Sequence, residues 1–200
     1  MGGRRPAAAF LHEGGPGRAR VASLKLSDFA SGWTASPAGG TTAGSEPRCS
    51  SYHPDQSDLV ETGKYDSPDF TRTADHSFIS VSTGVFRTAA MAKRGYARVA
   101  VRQLPACFGE LFVRGITKPS SAKVVSARPI AFPKAGDRSN AYRLVASVKT
   151  PTVTLPVTAD IVLFNKGRTD VAMIFLGIAR PLPASVEQTA VARVLSRVTR

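Results

Sequence analysis

Few residues of this chain could carry chemistry, and the two cysteines are the most informative of them. Cys49 lies in a polar loop, Glu46 to Ser51, where no hydrophobic core would bury a free thiol. Cys107 follows a helix break at Pro105. A bridge between the two would close a long loop and contribute about 4 kcal/mol on the chain-entropy model. These settings predict a Cys49–Cys107 disulfide, a bond that persists in oxidising compartments.

Metal ligands are poorly spaced in this sequence. The histidines, His12, His53 and His76, have neither the H-x-x-x-H spacing nor a C-x-x-C partner that zinc sites use. The acidic stretch from Asp55 to Asp75 lacks the alternating Asp/Asn and central Gly of a calcium loop. We therefore expect a solvated acidic face, with no metal and no cofactor.

Nucleophilic catalysis is also unsupported. The chain has no G-x-S-x-G elbow, and Asp75, His76 and Ser77 are neighbours whose side chains would point apart on a strand. A disulfide removes Cys107 from a nucleophilic role. The glycine-rich stretch from Gly39 to Gly44 lacks the Lys and the following helix of a phosphate loop. The sequence predicts a protein that is not an enzyme.

Positive charge is the chain's strongest compositional feature. The net charge is +13, and residues 1–86 contribute −1 (8 Lys/Arg against 9 Asp/Glu), whereas residues 87–200 contribute +14 (19 against 5). Such a charge favours anionic partners or serves solubility. Two arginine rows at helical spacing are candidate anion-binding surfaces, with the wet faces of amphipathic helices as the alternative. The rows are Arg94, Arg98 and Arg102, and Arg193, Arg197 and Arg200.

One segment partly matches an RNA-binding signature. Residues 94–101 follow the central strand motif of the RNA-recognition fold, but Arg98 and Val101 replace two of its aromatic residues. The same segment has the period of a helix. Nucleic-acid binding is therefore not expected here, although a basic cytoplasmic nucleic-acid-binding protein is the alternative function.

Hydrophobic periodicity predicts the elements that must position these residues. We expect a disordered leader over residues 1–22 and a single domain over residues 23–200. An amphipathic helix follows Thr88, a plausible N-cap, and a second short helix surrounds Cys107 to Val113. The predicted strands cover residues 60–65, 77–87, 122–132, 141–148, 157–165 and 171–179, and a closing helix covers residues 183–198.

The order of these elements predicts an α+β fold. An antiparallel sheet of about six strands should carry helices packed on it, as in an α/β/α sandwich, because no βαβ unit repeats. The hairpin connection Asn165 to Arg168 should make the last two strands antiparallel neighbours. We expect one interior face of that sheet to include alternate residues of these strands, namely Ile161, Leu163, Ile174 and Leu176.

Several segments together resemble a known family. The run Leu26 to Trp33, Cys49 after a loop, the junction Val85 to Ala90 and Cys107 are similar to the PknH-like extracellular sensor domains of actinobacterial kinases. The broader similarity is to actinobacterial lipoproteins of the LpqN type, with a PsbP-like α/β/α sandwich. The resemblance covers most of residues 23–199 and brings no site residue with it. Those sensor domains usually carry two disulfides, whereas this chain can form one.

The functional expectation follows from the disulfide, the charge and this resemblance. We expect an exported, extracytoplasmic sensor or envelope-associated domain that binds an unknown small molecule or an anionic envelope polymer. We expect a monomer and no transmembrane segment, because no apolar run approaches the ~20 residues that a membrane helix needs. The start of the chain has no clear signal peptide, since the apolar stretch Pro6 to Leu11 is short.

Overall fold

The computed structural model describes residues 14–38, 49–50, 52–115 and 121–198. Within these ranges, the helices and strands follow one another in the order α1, β1–β4, α2, α3, β5–β8, α4. A short 3-10 turn, Leu26–Asp28, precedes β1. The helices are α1 (Gly14–Ala22), α2 (Ala89–Val99), α3 (Leu104–Gly115) and α4 (Ala184–Val198). The strands are β1 (Trp33–Ser36), β2 (Glu61–Asp66), β3 (Asp69–Arg72), β4 (Phe78–Phe86), β5 (Ala122–Pro129), β6 (Arg138–Lys149), β7 (Thr154–Lys166) and β8 (Thr169–Ile178).

All eight strands form one antiparallel sheet in the order β1-β3-β4-β8-β7-β6-β5, and β2 pairs with β4 beside β3. Strands β2 and β3 are a single extended run that is interrupted at Ser67 and Pro68. Ser67 bridges the interruption, because its N–H donates to the Val81 carbonyl (2.8 Å) and its Oγ accepts from the Val81 N–H (3.0 Å). The sheet therefore continues past a residue that cannot donate a backbone hydrogen bond.

Strand β7 lies at the heart of the sheet, and every residue from Val157 to Asn165 is buried. Alternate side chains point to opposite faces, so both faces of the sheet are apolar here. We call them the α4 face and the disulfide face. The buried core of the α4 face comprises Leu24, Phe70, Ile79, Val81, Ala135, Ala141, Val162, Phe164, Val171, Met173, Phe175, Leu182, Ala190, Val191 and Val194. The buried core of the disulfide face comprises Cys49, Tyr52, Tyr96, Leu104, Cys107, Tyr142, Ile161 and Leu163.

Helices cover both faces, which confirms the predicted α+β sandwich with more strands than the expected six. Helix α4 packs on the α4 face beside α1, and helices α2 and α3 pack on the disulfide face. The connection from β4 to β5 runs through α2 and α3 and carries the chain across the whole disulfide face to the far edge of the sheet. No helix of the described ranges is long and apolar enough to cross a membrane.

Local signals set the ends of α2 and α3. Thr88 caps α2 as predicted, because its Oγ1 accepts a hydrogen bond from the Met91 N–H at 3.1 Å. Helix α3 begins at Leu104, earlier than the predicted Cys107. Pro105 occupies the first turn of α3, where a missing N–H costs no intrahelical bond, so this proline begins a helix rather than breaking one.

The predicted disordered leader is wrong over residues 14–22, which form helix α1. The backbone of α1 lies directly on β2: a Cβ on Gly15 would stand 1.9 Å from the Thr62 carbonyl oxygen, and one on Gly63 would stand 2.1 Å from the Gly15 carbonyl carbon. Only glycine at both positions allows this approach. The remaining leader, residues 1–13, lies outside the described residues. Strands β1 and β3 were also not predicted.

The predicted interior face needs a correction on β8. Ile161 and Leu163 are buried, but Ile174 and Leu176 are only half-buried. The fully buried residues of β8 are the alternate ones, Val171, Met173 and Phe175, which lie on the α4 face. The two faces of β8 are covered to different extents. Helix α4 packs on the α4 face of β8, whereas Ile174 and Leu176 lie on the part of the disulfide face that the helices cover less completely.

Replacing Met173 with Ala should therefore destabilise the protein more than replacing its neighbour Ile174 with Ala. The first change removes a side chain with no solvent exposure and should cost about 2–5 kcal/mol. Ile174→Ala should cost markedly less, because part of that side chain already contacts water. Urea unfolding of both variants measures the difference, and a larger loss for Ile174→Ala would mean that the two faces are assigned the wrong way round.

Candidate functional site

The disulfide fixes a short segment of the disulfide face. Cys49 and Cys107 are bonded, with Cα atoms 5.5 Å apart, and both are buried. The Cys49 N–H donates to the Tyr52 carbonyl at 3.2 Å, and the Tyr52 hydroxyl donates to the Arg98 carbonyl at 2.6 Å. Glu110 of α3 accepts hydrogen bonds from the N–H and the hydroxyl of Ser50 at 3.0 and 2.9 Å. The bond thus ties this segment to α2 and α3 as a structural staple.

The arginine row on α2 is largely occupied by carboxylates from the acidic half of the chain. Arg98 pairs with Asp58 and donates to the Asp55 carbonyl at 2.7 Å, and the Nε of Arg94 lies 3.5 Å from Asp58. The hydrogen bond from Arg98 lowers the pKa of Asp58. Arg102 is exposed and lies beyond the end of α2. The predicted row is therefore not a continuous surface of unpaired cations.

The described arginines of the α4 row also differ in how they are paired. Arg197 donates to the Asp28 carboxylate and to the Ser23 carbonyl, both at 2.8 Å, and so pins the last turn of α4 to the 3-10 turn. Burial is the largest single influence on Asp28 and opposes its ionisation. The hydrogen bonds from Arg197 and from the Lys25 N–H, with the charges of Arg197 and Arg193, together outweigh burial and lower the pKa of Asp28. Arg193 is exposed, and Arg200 lies outside the described residues.

A cluster of one half-buried arginine and two buried acids connects α4 to the sheet. Arg143 of β6 makes a two-pronged ion pair with Asp160 of β7, with N–O distances of 2.6 and 2.5 Å. Glu187, in the first turn of α4, is also buried and lies against Asp160. Burial, followed by the Asp160 charge and a hydrogen bond to it, raises the pKa of Glu187. Glu187 is therefore a neutral acid that can donate its proton to the Asp160 carboxylate.

Beside this cluster the sheet is uncovered on one side. On β6, the disulfide-face residues Tyr142, Leu144 and Ala146 are buried, whereas the intervening residues on the α4 face are half-buried. Helix α3 packs on β5 and β6 and covers the first set, whereas the strand on which α4 mainly packs is β8. Glu187 of α4 reaches the Arg143–Asp160 pair at the border of this uncovered area. Strand β5 adds three residues to the uncovered face through the pairs Lys123–Ser147, Ser126–Val145 and Arg128–Arg143. We call this surface the open strip; it comprises Lys123, Ser126, Arg128, Arg143, Val145 and Ser147.

The open strip was missed in the sequence, although a signal for it exists. Strand β6 alternates buried apolar residues with Arg143 and Ser147, as expected for a strand with one wet face. The alternation is harder to recognise on β5, because a bulge at Val125 shifts the register between Val124 and Ser126. Without the pairing of the two strands, these cations could not be placed on one face.

A second polar cluster lies under α2 on the disulfide face. The Asn165 side-chain amide donates to the Asp170 carboxylate at 2.6 Å, and the Tyr96 hydroxyl donates to Asn140 Oδ1, also at 2.6 Å. Gly95 of α2 lies beside this cluster, since a Cβ there would stand 3.6 Å from Asp170 Oδ2, at ordinary van der Waals distance, and 3.1 Å from Leu59 Cδ1. Burial raises the pKa of Asp170 from 3.8 to about 7, against the hydrogen bond from Asn165.

These clusters do not form a metal centre. Within residues 14–38, 49–50, 52–115 and 121–198, no group of three or more His, Cys, Asp or Glu side chains could hold a metal ion. The carboxyl groups of Asp160 and Glu187 are both buried, and Asp160 pairs with Arg143 instead.

By sequence, the chain matches no family model and no curated protein. By structure, it is similar to the extracellular domain of PknH from Mycobacterium tuberculosis, with a TM-score of 0.41 and 10% identity over 70% of this chain. The chain spans 65% of that domain. It is also similar to LpqN, involved in cell envelope biogenesis of Mycobacterium tuberculosis, with a TM-score of 0.36 and 9% identity over 83% of this chain and 76% of LpqN. These are the two kinds of protein that the sequence pattern resembles, and such low similarity says nothing about a ligand.

Removing the disulfide should destabilise the fold. The bond closes a loop of 58 residues, so the Cys49→Ser, Cys107→Ser double variant should lose about 4 kcal/mol in the free energy of unfolding. Denaturant unfolding measures this loss, and the parent protein in reductant should lose a comparable amount. An unchanged unfolding midpoint in both experiments would show that the bond does not support the fold.

Stability should fall as the pH rises, because the folded state binds the Asp170 proton more tightly than the unfolded chain does. The contribution of Asp170 is fully present below pH 3.8 and is lost as the pH rises through about 7. The total change is on the order of 4 kcal/mol. Asp170→Asn should flatten the curve of melting temperature between these pH values, and Asp170→Asn with Glu187→Gln should flatten it further. An Asp170→Asn curve with the same slope as that of the parent would contradict the assignment.

Proposed function

We propose that this chain is an extracytoplasmic, non-enzymatic ligand-binding domain that takes an anionic ligand on the open strip. The observation that carries this proposal is the burial pattern of β6. Its disulfide-face residues are covered by α3, while Arg143, Val145 and Ser147 remain half-exposed on the other face. A sheet face that is uncovered next to a helix offers a groove in which a ligand can lie against both elements.

The chemistry of the open strip favours an anion. Lys123 and Arg128 are exposed at the sheet edge, and Arg143 lies beside them with about a third of its side chain exposed (32%). Asp160 offsets only one of these three charges, because Glu187 holds its proton. The hydroxyl groups of Ser126 and Ser147 lie between the cations and can donate to the oxygen atoms of a phosphate or carboxylate.

The buried cluster supports binding rather than catalysis. Asp160 and Glu187 are enclosed beneath α4 and cannot reach a ligand on the strip directly. Their role is to hold Arg143, because the two-pronged ion pair fixes the guanidinium plane at the floor of the groove. The buried disulfide supports a location in an oxidising compartment, which is where an exported domain of the cell envelope would work.

The test uses tripolyphosphate as an anionic probe, with a neutral maltooligosaccharide as its counterpart. In nitrogen-15 NMR titrations, the largest amide shifts should fall on β5 and β6 with tripolyphosphate. Lys123→Ser with Arg128→Ser should weaken this binding about tenfold or more, since each charge-assisted contact contributes roughly 1 kcal/mol or more. Both residues are exposed, so the variant should melt like the parent.

A matched control removes the same charge from the other layer of the sandwich. Lys93→Ser with Arg102→Ser changes two exposed cations on or near α2 and should leave tripolyphosphate binding unchanged. Equal losses for the two double variants would reject the open strip as the site. Tight binding of single-stranded RNA with shifts on α2 would favour the alternative, a nucleic-acid-binding protein.

A further inference from the structure

Helix α1 and the turn after it expose apolar side chains that the fold does not use. Val21 is 57% exposed and Leu26 is 44% exposed, although they flank the buried residues Ala22, Ser23 and Leu24. The other large hydrophobic residues with comparable exposure, Val125 and Val153, belong to the far side of the sheet, on β5 and before β7. Two of the four most exposed large hydrophobic residues described thus lie within one short segment.

The same segment is basic. Residues 14–27 contain three cations, Arg18, Arg20 and Lys25, all of them exposed, and no carboxylate. Asp28, which follows, is occupied by Arg197 and therefore does not neutralise these cations. The ion pair brings the last turns of α4 against this segment, and the exposed Arg193 lies close enough to Asp28 to lower its pKa.

We propose that this surface rests on an anionic lipid bilayer, with Val21 and Leu26 entering the headgroup layer and the cations contacting lipid phosphates. Exposed apolar side chains surrounded by Lys and Arg are the pattern that binds such an interface, because apolar burial and attraction to anionic lipid act together. A soluble polyanion would use the cations but would leave the two apolar side chains in water. The surface comprises Arg18, Arg20, Val21, Lys25, Leu26 and Arg193.

Binding to the bilayer should be weak and reversible, because the apolar part of this surface is small. Two apolar side chains supply far less affinity than a lipid chain, so binding should require anionic lipid and should fall with salt. The surface belongs to the layer of α1 and α4, whereas the open strip lies at the β5 edge of the sheet. A ligand on the strip and a bilayer at α1 could therefore be bound together, and each proposal can fail alone.

The test is co-sedimentation with vesicles of phosphatidylcholine, with and without phosphatidylglycerol. The parent should bind only the vesicles that contain phosphatidylglycerol. Val21→Ser with Leu26→Ser should weaken binding about tenfold, and Arg18→Ser with Arg20→Ser and Lys25→Ser should weaken it roughly 100-fold, at about fivefold for each cation. All of these positions are exposed, so melting temperatures should stay at the parent value.

Two control variants match these changes elsewhere. Val125→Ser with Val153→Ser removes the other exposed apolar residues, and Lys64→Ser with Lys93→Ser and Arg102→Ser removes three other exposed cations. Both controls should bind vesicles like the parent or with a small loss from net charge. The proposal is overturned if the parent does not bind, or if the controls lose as much as the test variants. It is also overturned if Val21→Ser with Leu26→Ser binds unchanged while the cation variant does not, since the surface would then bind polyanions by charge alone.

Discussion

Burial of β7 on both faces is the constraint on which the rest of the architecture depends. A strand that is apolar on both sides must be covered twice, so the chain has to place helices on each face of the sheet. The crossover through α2 and α3 covers one face, and α4 returns to cover the other. The two coverings differ in position, because α3 packs on β5 and β6 whereas α4 packs mainly on β8. The uncovered part of the α4 face is the direct result of this unequal coverage.

The pairing of carboxyl groups within the fold decides which cations keep an uncompensated positive charge at the surface. Residues 87–200 hold five carboxyl groups. Three of them, Glu110, Asp137 and Asp160, are paired with cations, and burial raises the pKa of the other two, Asp170 and Glu187. The acidic half contributes Asp58 and Asp28, which occupy Arg98 and Arg197. Several surface cations, among them Arg94, Arg114 and Lys166, are therefore partly neutralised by these carboxylates. The positive charge of the surface is less evenly distributed than the composition alone suggests.

Hydrophobic periodicity was sufficient to predict the elements that carry their own apolar pattern. The other elements depend on contacts and strand pairing that the sequence does not show. Strands β5 to β8, α2 with its Thr88 cap and α4 were predictable because apolar residues recur there at the spacing of the element. Helix α1 was not, since Gly14, Gly15 and Pro16 disfavour a helix by propensity and only contact with Gly63 explains it. Strands β1 and β3 are too short for a pattern. The open strip depends on the register between β5 and β6, which a bulge obscures and which no local signal fixes.

The bulge at Val125 also bears on how this sheet ends. A sheet edge presents unpaired backbone groups that can recruit a strand from another molecule, and natural proteins prevent this with bulges, charges, prolines or short strands. Strand β5 has a bulge at Val125, a lysine at 123 and a proline at 129, and strand β1 at the other edge has only four residues. The β5 edge, and the part of the other edge that β1 forms, are therefore poor templates for β-aggregation, and the open strip beside β5 can face solvent without inviting edge-to-edge association.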